Sequence, residues 1–231
     1  MSHVTTHVVD GVTLVEIDRP PANAMNVELL DELVENIERC AADPPNAVVL
    51  AGRDGVFSAG VDLKEVPGYG PDEQRRMVTG INRMVLAGYG VRCPVIAAIT
   101  GHAIAGGLVL ALCADYRIAS DAGRYGLTEI KVGVPYPQAA LGVVRAELAP
   151  SAARQLALGS ELIDADACVR LGVFDEVVAP DAVRGRALEV AGRMGAYPAE
   201  VYARTKLELR ESALAAMRDA VRTEPLLAAW V

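Results

Sequence analysis

Two short aliphatic runs, Ala47-Val-Val-Leu-Ala51 and Val95-Ile-Ala-Ala-Ile-Thr100, constrain this chain more than any other feature. Neither run alternates polar with apolar residues, so neither suits a strand with one face in water. Each reads as a strand buried on both faces. After each comes a turn of small residues containing glycine, and then a helical stretch. The first turn is Phe57-Ser-Ala-Gly-Val-Asp62; the second spans Gly101 to Gly107 and opens a short apolar helix, Leu108 to Cys113. A third strand candidate, Tyr116-Arg-Ile-Ala119, follows Asp115. Strand, turn and helix in repetition predict parallel strands joined by crossovers, hence the α/β class. Apolar residues make up 52% of the chain and aromatic ones only 4%. The core must therefore be built from Val, Leu, Ile and Ala.

Further signals place the remaining elements. Gly11-Val-Thr-Leu-Val-Glu-Ile17 alternates like a strand and is ended by Pro20 and Pro21. Asn26 precedes a helix with Leu30, Leu33, Ile37 and Ala41 on one face. Beyond residue 150 the pattern predicts helices only. Asp164 caps a short one that Gly172 terminates, Asp181 starts another, and Pro198 opens a last long one reaching about Arg222. A length of 231 residues allows one to two domains with an ample core. No low-complexity segment or tandem repeat is present.

Several function classes fall away on composition. Lys and Arg number 22 against 30 Asp and Glu, a net charge of −8. The nearest basic pair, Arg75-Arg76, reads as a solvated helix face, so no nucleic-acid partner is expected. No apolar run approaches the ~20 residues needed to span a bilayer. The polar stretch Met1 to Asp10 lacks the apolar core of a signal peptide, so the expected location is the cytoplasm, away from any membrane. The four cysteines, Cys40, Cys93, Cys113 and Cys168, form no C-x-x-C pair and sit among apolar residues. They are expected to be buried reduced thiols, with neither disulfide nor metal roles.

The chemistry lies in the two small-residue turns. Glycine and alanine let the backbone approach a ligand closely. A helix starting near Asp62, or at Gly106, would present free N–H groups. Neither turn is a dinucleotide fingerprint, since G-x-G-x-x-G does not occur in them. Either alone reads as an ordinary strand-to-helix turn. Two in succession can each contribute one N–H to a common carbonyl oxygen, which makes a two-donor oxyanion hole.

With these turns the chain resembles the crotonase (enoyl-CoA hydratase/isomerase) family. Arg19-Pro-Pro-Ala-Asn-Ala24, Val48-Val-Leu-Ala-Gly52, Phe57-Ser-Ala-Gly-Val-Asp-Leu63, Gly101 to Gly107, Asp115-Tyr-Arg-Ile-Ala119, and Ile163-Asp-Ala-Asp-Ala167 through Leu171-Gly-Val173 come in that family's order and spacing. The resemblance covers about Val12 to Val178. It implies a spiral of ββα units over residues 1–178, followed by a helical region over residues 179–231 that packs homotrimers, often paired as hexamers. It also implies an acyl-CoA thioester substrate and no separate cofactor, because CoA is part of the substrate.

Carried over residue by residue, the resemblance makes the N–H groups of Val61 and Gly106 the oxyanion donors. It places CoA along Ala59, Asp62 and Leu63, with Ala24 a weaker contact. Lys64 is a candidate phosphate contact or a solvated lysine. Hydratases of the family carry two glutamates. One position is Val109 here; the other, inside Tyr125-Gly-Leu-Thr-Glu-Ile-Lys-Val-Gly133, is Glu129. Thr128 and Val109 then become substrate-binding residues. A carboxylate between Leu127 and Ile130 can be desolvated and its pKa raised, which suits proton transfer at neutral pH.

One glutamate facing an aliphatic residue favours double-bond migration, 3-enoyl-CoA to 2-enoyl-CoA, as part of fatty-acid metabolism. Hydration by a single glutamate is the alternative, and a non-catalytic acyl-CoA-binding protein the second alternative; hydrolase and dehalogenase variants also exist in the family. Among other polar residues, Asp115 is expected to anchor backbone. His102, beside the second turn, is a candidate active-site residue or, as the commoner case for a lone histidine, one hydrogen-bonded within its turn. Tyr125 and Tyr136 are candidate pocket aromatics, and Lys206 a surface charge or a CoA phosphate contact.

Overall fold

The computed structural model describes residues 2–230; Met1 and Val231, the outer ends of the two expected regions, lie outside it. Its strands are β1 (Val4–Val9), β2 (Val12–Ile17), β3 (Ala47–Ala51), β4 (Gly55–Ser58), β5 (Val95–Ile99), β6 (Gly101–Ile104), β7 (Tyr116–Ser120), β8 (Tyr125–Gly126) and β9 (Glu176–Val178). The helices are α1 (Val27–Ala42), α2 (Pro71–Gly90), α3 (Gly106–Leu112), α4 (Glu129–Val132), α5 (Gln138–Glu147), α6 (Pro150–Gly159), α7 (Ala165–Arg170), α8 (Val183–Gly195) and α9 (Ala199–Arg222).

A six-stranded sheet runs β1-β2-β3-β5-β7-β9, and a three-stranded sheet runs β4-β6-β8. Apart from the antiparallel β1–β2 hairpin, every pairing of named strands is parallel. The two aliphatic runs lie in the middle of the large sheet and are buried along their full length. Their alternation explains why they look uniformly apolar. Ala47, Val49 and Ala51 face Val183, Ala187, Val190 and Ala191 of α8. Val48 and Leu50 face the larger core formed with α1, α2 and α3. Both sides of a central strand are thus covered, and no polar residue is needed on either.

Each central strand feeds a short strand of the small sheet and then a helix: β3–β4–α2, β5–β6–α3 and β7–β8–α4. This is the α/β spiral of ββα units implied by the resemblance. The structure corrects several local expectations. Gly101 to Ile104 pairs as strand β6 and belongs to no turn. No helix begins near Asp62; after it come turns and a single 3₁₀ turn, Val66–Gly68. The region beyond residue 150 is not all helix, because β9 adds to β7. Asp181 makes no side-chain cap, and α8 starts two residues later without one.

Other local signals hold. Asn26 Oδ1 accepts the Leu29 N–H at 3.0 Å, and Asp164 Oδ1 accepts that of Ala167 at 2.8 Å. All four cysteines are free and buried. Arg75 and Arg76 are exposed and pair with Asp72 and Asp31.

Helix α9 is tied to the body by buried cations. Lys206 Nζ lies 2.6 Å from Asp115 Oδ2 and 2.9 Å from the Cys93 carbonyl. Arg210 lies 3.0 Å from Asp115 Oδ1, with its guanidinium 4.0 Å from the centre of the Tyr89 ring. Asp115 Oδ2 also accepts the Val95 N–H at 2.8 Å, so it anchors backbone as expected. Lys206 is only 5% exposed, which overturns both readings made of it from the sequence. A charge so deeply buried cannot reach a phosphate in solvent; it persists because Asp115 balances it.

Candidate active site

The two turns meet at one end of the small sheet. The first is locked by Asn23 and Ser58. Asn23 Nδ2 donates to the Ile17 and Phe57 carbonyls at 2.8 and 3.0 Å, and its Oδ1 accepts the Arg19 N–H at 2.7 Å. The Ser58 hydroxyl donates to the Asn23 carbonyl and accepts the Gly60 N–H. Met25 then pairs beside Val61 in a single parallel bridge, donating to the Gly60 carbonyl and accepting from the Asp62 N–H. In such a bridge the N–H of the middle residue points away from its neighbour strand. The Val61 N–H has no hydrogen-bond partner among the described residues.

The second turn ends at Ala105, whose φ of 51° and ψ of −125° are sterically unfavourable for a side chain. That conformation turns the chain sharply from β6 into α3. The N–H of Gly106, the first helical residue, likewise lacks a partner among the described residues. Glycine at position 60 permits the close approach of the two turns. Its φ is +78°, and a Cβ there would lie 2.9 Å from Gly106 N and 2.8 Å from Ala105 Cβ. Gly107 serves the same end one step deeper, since a Cβ there would lie 2.3 Å from the Ser58 carbonyl oxygen.

Val61 and Gly106 both line one cavity, which is partly open to solvent. Ala59, Val61, Leu63, Gly106, Val109, Thr128 and Glu129 all line it. These are seven of the nine site residues expected from the sequence. Ala24 and Asp62 do not line it. The Ala24 carbonyl accepts from Arg19, and Asp62 pairs with Arg19 at 2.7 Å while accepting the Lys64 N–H at 3.0 Å. Burial alone would raise the Asp62 pKa, but these hydrogen bonds and the Arg19 charge outweigh it and hold it low. Arg19 therefore clamps the first turn from below. Lys64 is exposed outside the cavity. His102 is exposed too and does not line the cavity; contrary to expectation it bonds outside its own turn, its Nδ1 accepting the Arg124 N–H at 3.1 Å.

Glu129 opens the one-turn helix α4, which Gly133 ends in the left-handed conformation at φ 75°. Ser160 supports this helix, donating to the Leu127 carbonyl and accepting the Lys131 N–H. Glu129 is the one carboxylate among the described residues lining the cavity, and it is only 7% exposed. Burial pushes its pKa from an ordinary value of 4.5 up to about 7, although a hydrogen bond from Tyr136 to Oε2, 2.7 Å long, works in the opposite sense. Val109, 1% exposed, lines the cavity as an aliphatic side chain.

Tyr136 was named from the sequence as a pocket aromatic, yet its bond to Glu129 was not foreseen. Tyr125 lies elsewhere, buried against Phe174 with its hydroxyl bonded to the Ser120 carbonyl. The sequence reading missed the remaining apolar wall: Ile81, Val132, Val134, Pro135, Pro137, Ala140 and Trp230. The one local signal was the Pro135-Tyr-Pro137 run just after α4, a rigid segment in which Tyr136 holds a fixed place.

Comparison with known proteins places these features in context. The profile of the enoyl-CoA hydratase/isomerase family matches residues 8–225. The protein named "Probable enoyl-CoA hydratase EchA17" from Mycobacterium tuberculosis is 35% identical over 185 residues, covering 79% of this chain and 70% of that one. Human "Enoyl-CoA delta isomerase 1, mitochondrial" is 33% identical over 218 residues, covering 91% and 72%. The crystal structure of enoyl-CoA hydratase EchA3 from Mycobacterium ulcerans superposes with a TM-score of 0.90 at 30% identity, covering 98% of each chain.

Proposed function

The chain belongs to the enoyl-CoA hydratase/isomerase (crotonase) family of acyl-CoA enzymes, and we propose that within it this protein is a 3-enoyl-CoA to 2-enoyl-CoA isomerase. The observation that carries the reading is the pairing of one carboxylate, Glu129, with the aliphatic Val109 in the same cavity.

Removing a C2 proton from a 3-enoyl thioester delocalises negative charge onto the carbonyl oxygen. The N–H groups of Val61 and Gly106 would receive that charge. Because both are fixed by backbone folding, they need no reorganisation as the charge appears, and removal of one such donor in other enzymes costs about 3 kcal/mol of barrier. Glu129 would take the C2 proton and return it at C4. A pKa near 7 suits both halves of this transfer: the ionised form is available as a base, and its conjugate acid still gives the proton back. Tyr136 engages Oε2, so we assign the proton to Oε1. Hydration needs a base for the water and an acid for C2; Val109 can be neither, so Glu129 would have to serve as both, which suits it less well than a single proton shuttle. Thr128 and Val109 would contact the acyl group, and Ala59 and Leu63 the CoA, with Ala24 and Asp62 supporting that turn from behind. The reaction needs no separate cofactor, since CoA travels with the substrate.

The same reading assigns the enzyme to fatty-acid metabolism in the cytoplasm, as a homotrimer or hexamer formed through residues 179–231. Exposed Tyr197, Val201 and Leu209 in that region support an assembly there. No helix among the described residues is long and apolar enough to cross a membrane. The decisive assay measures 3-enoyl-CoA isomerisation and 2-enoyl-CoA hydration side by side on the purified protein. Isomerisation should be faster. Hydration well above the isomerase rate would establish the single-glutamate hydratase instead, and acyl-CoA binding without either reaction would leave a binding protein.

A further inference from the structure

The far C-terminal segment returns to the cavity. After α9 the chain makes a 3₁₀ turn, Pro225–Leu227, and continues to Trp230, which is 5% exposed and lines the same cavity as Glu129. Two anchors hold this tail. The buried Glu224 carboxylate accepts from Asn82 Nδ2 of α2 at 2.9 Å and from the Gln138 N–H at the start of α5 at 2.7 Å. The Trp230 indole N–H donates to the Pro135 carbonyl at 3.0 Å, and its backbone N–H to Gln74 Oε1 at 3.4 Å. Both anchors thus grip the ends of the short Pro135–Gln138 segment, from which Tyr136 reaches Glu129.

The same C-terminal segment borders a second cavity. It is bounded by Pro71, Gln74 and Arg75 of α2 and by Leu226 to Ala229. The tail thus contributes to the linings of both cavities. Trp230 lines the reactive cavity, while its neighbour Ala229 and its hydrogen-bond partner Gln74 line the second one.

We infer that Trp230 is the acyl-length determinant of this enzyme: its indole completes the apolar wall formed with Val134, Pro135 and Pro137, and a longer acyl chain fits only when that indole is displaced or removed. This inference rests on the acyl-CoA reading of the site. An aromatic side chain is large enough for its position alone to decide how many methylenes fit, and each buried methylene is worth about tenfold or more in specificity. Trp230 packs in the main hydrophobic core and makes no hydrogen bond to Glu129, Val61 or Gly106, so its replacement leaves those three groups in place.

Trp230 is also the only tryptophan in the chain, which makes the native protein its own reporter. Titration with hexanoyl-, decanoyl- and tetradecanoyl-CoA, with free CoA as control, should shift its emission increasingly with chain length and leave it unchanged for CoA alone. In parallel, kcat/KM for hexenoyl- and tetradecenoyl-CoA should be measured for native protein and for Trp230→Ala. The ratio of long to short should rise by about tenfold or more in the variant. Trp230→Phe, which keeps an apolar wall and loses the indole hydrogen bond, should stay near the native ratio and serves if Trp230→Ala fails to fold. A length profile unaltered in Trp230→Ala, or emission indifferent to every acyl chain that binds, would overturn the inference while leaving the proposed reaction standing. Failure of the native protein to bind or turn over any acyl-CoA would instead overturn the proposed function.

Discussion

Replacing Glu129 by Gln should do two opposite things, and their combination tests whether this carboxylate is a strained catalytic base. The neutral amide keeps the shape of the side chain and an acceptor for the Tyr136 hydroxyl. It cannot take a proton. Turnover should fall about 10²-fold or more, with acyl-CoA affinity roughly retained. Stability should move the other way. In the unfolded chain the carboxyl ionises near 4.5; in the folded protein burial delays this to about 7. Below pH 4.5 both states are protonated and the delay has no effect. Between 4.5 and 7 the unfolded state sheds its proton and the folded state keeps it, so stability is lost as pH rises, and above 7 the loss is complete. At about 1.4 kcal/mol per decade of proton affinity, the full loss is about 3 kcal/mol. Glutamine never ionises and escapes this loss. Titratable groups common to both proteins cancel in the comparison. Urea unfolding of native and Glu129→Gln protein at about pH 4.5 and about pH 8.5 reads the effect directly. The variant's advantage should be larger at the higher pH by about 3 kcal/mol. An advantage independent of pH, or one that shrinks as pH rises, would refute the argument that burial has displaced this carboxyl's ionisation.

The remaining predictions probe the parts around it. In Tyr136→Phe the donor to Oε2 disappears, so the Glu129 pKa should climb further and the rise of kcat/KM with pH should move to more alkaline values; an unmoved profile would detach Tyr136 from the base. Gly60→Ala forces a side chain into a left-handed conformation and drives its Cβ to within 2.9 Å of Gly106 N, so it should lose about 2 kcal/mol of stability and about 10²-fold in turnover. Native turnover in that variant would mean the two turns need not be so closely opposed. Lys206→Met removes one buried partner of Asp115 while Arg210 remains, and should cost about 3 kcal/mol in denaturant unfolding with acyl-CoA affinity preserved. Weakened acyl-CoA binding without loss of stability would restore a phosphate-contact role for this lysine.

Local sequence determined those features whose physics is local. Ala47–Ala51 and Val95–Ile99 read as buried on both faces because neither face carries a polar residue. Asn26 and Asp164 had to start helices because their side chains supply the acceptor that a helix N-terminus lacks. The small-residue turns marked the candidate oxyanion donors, and Glu129 and Val109 stood out because the family pattern expects an acid at both positions and only one is present. Tertiary structure decided the rest. The strand character of Val4–Val9 and Glu176–Val178 came from an available sheet edge, not from an alternating apolar pattern; five of the six residues of β1 are exposed. Gly101–Ile104 became a strand because β4 and β8 flank it. Lys206 looked like a surface charge until the docking of α9 placed it against Asp115, 91 residues away in sequence. Tyr136 acquired its meaning from the fold of Pro135–Gln138 over α4, and Trp230 from a tail that crosses back to α2 and Pro135. A residue's own chemistry and its near neighbours can announce a cap or a buried strand, but the partner of a buried charge and the wall of a cavity are set by segments that only folding brings together.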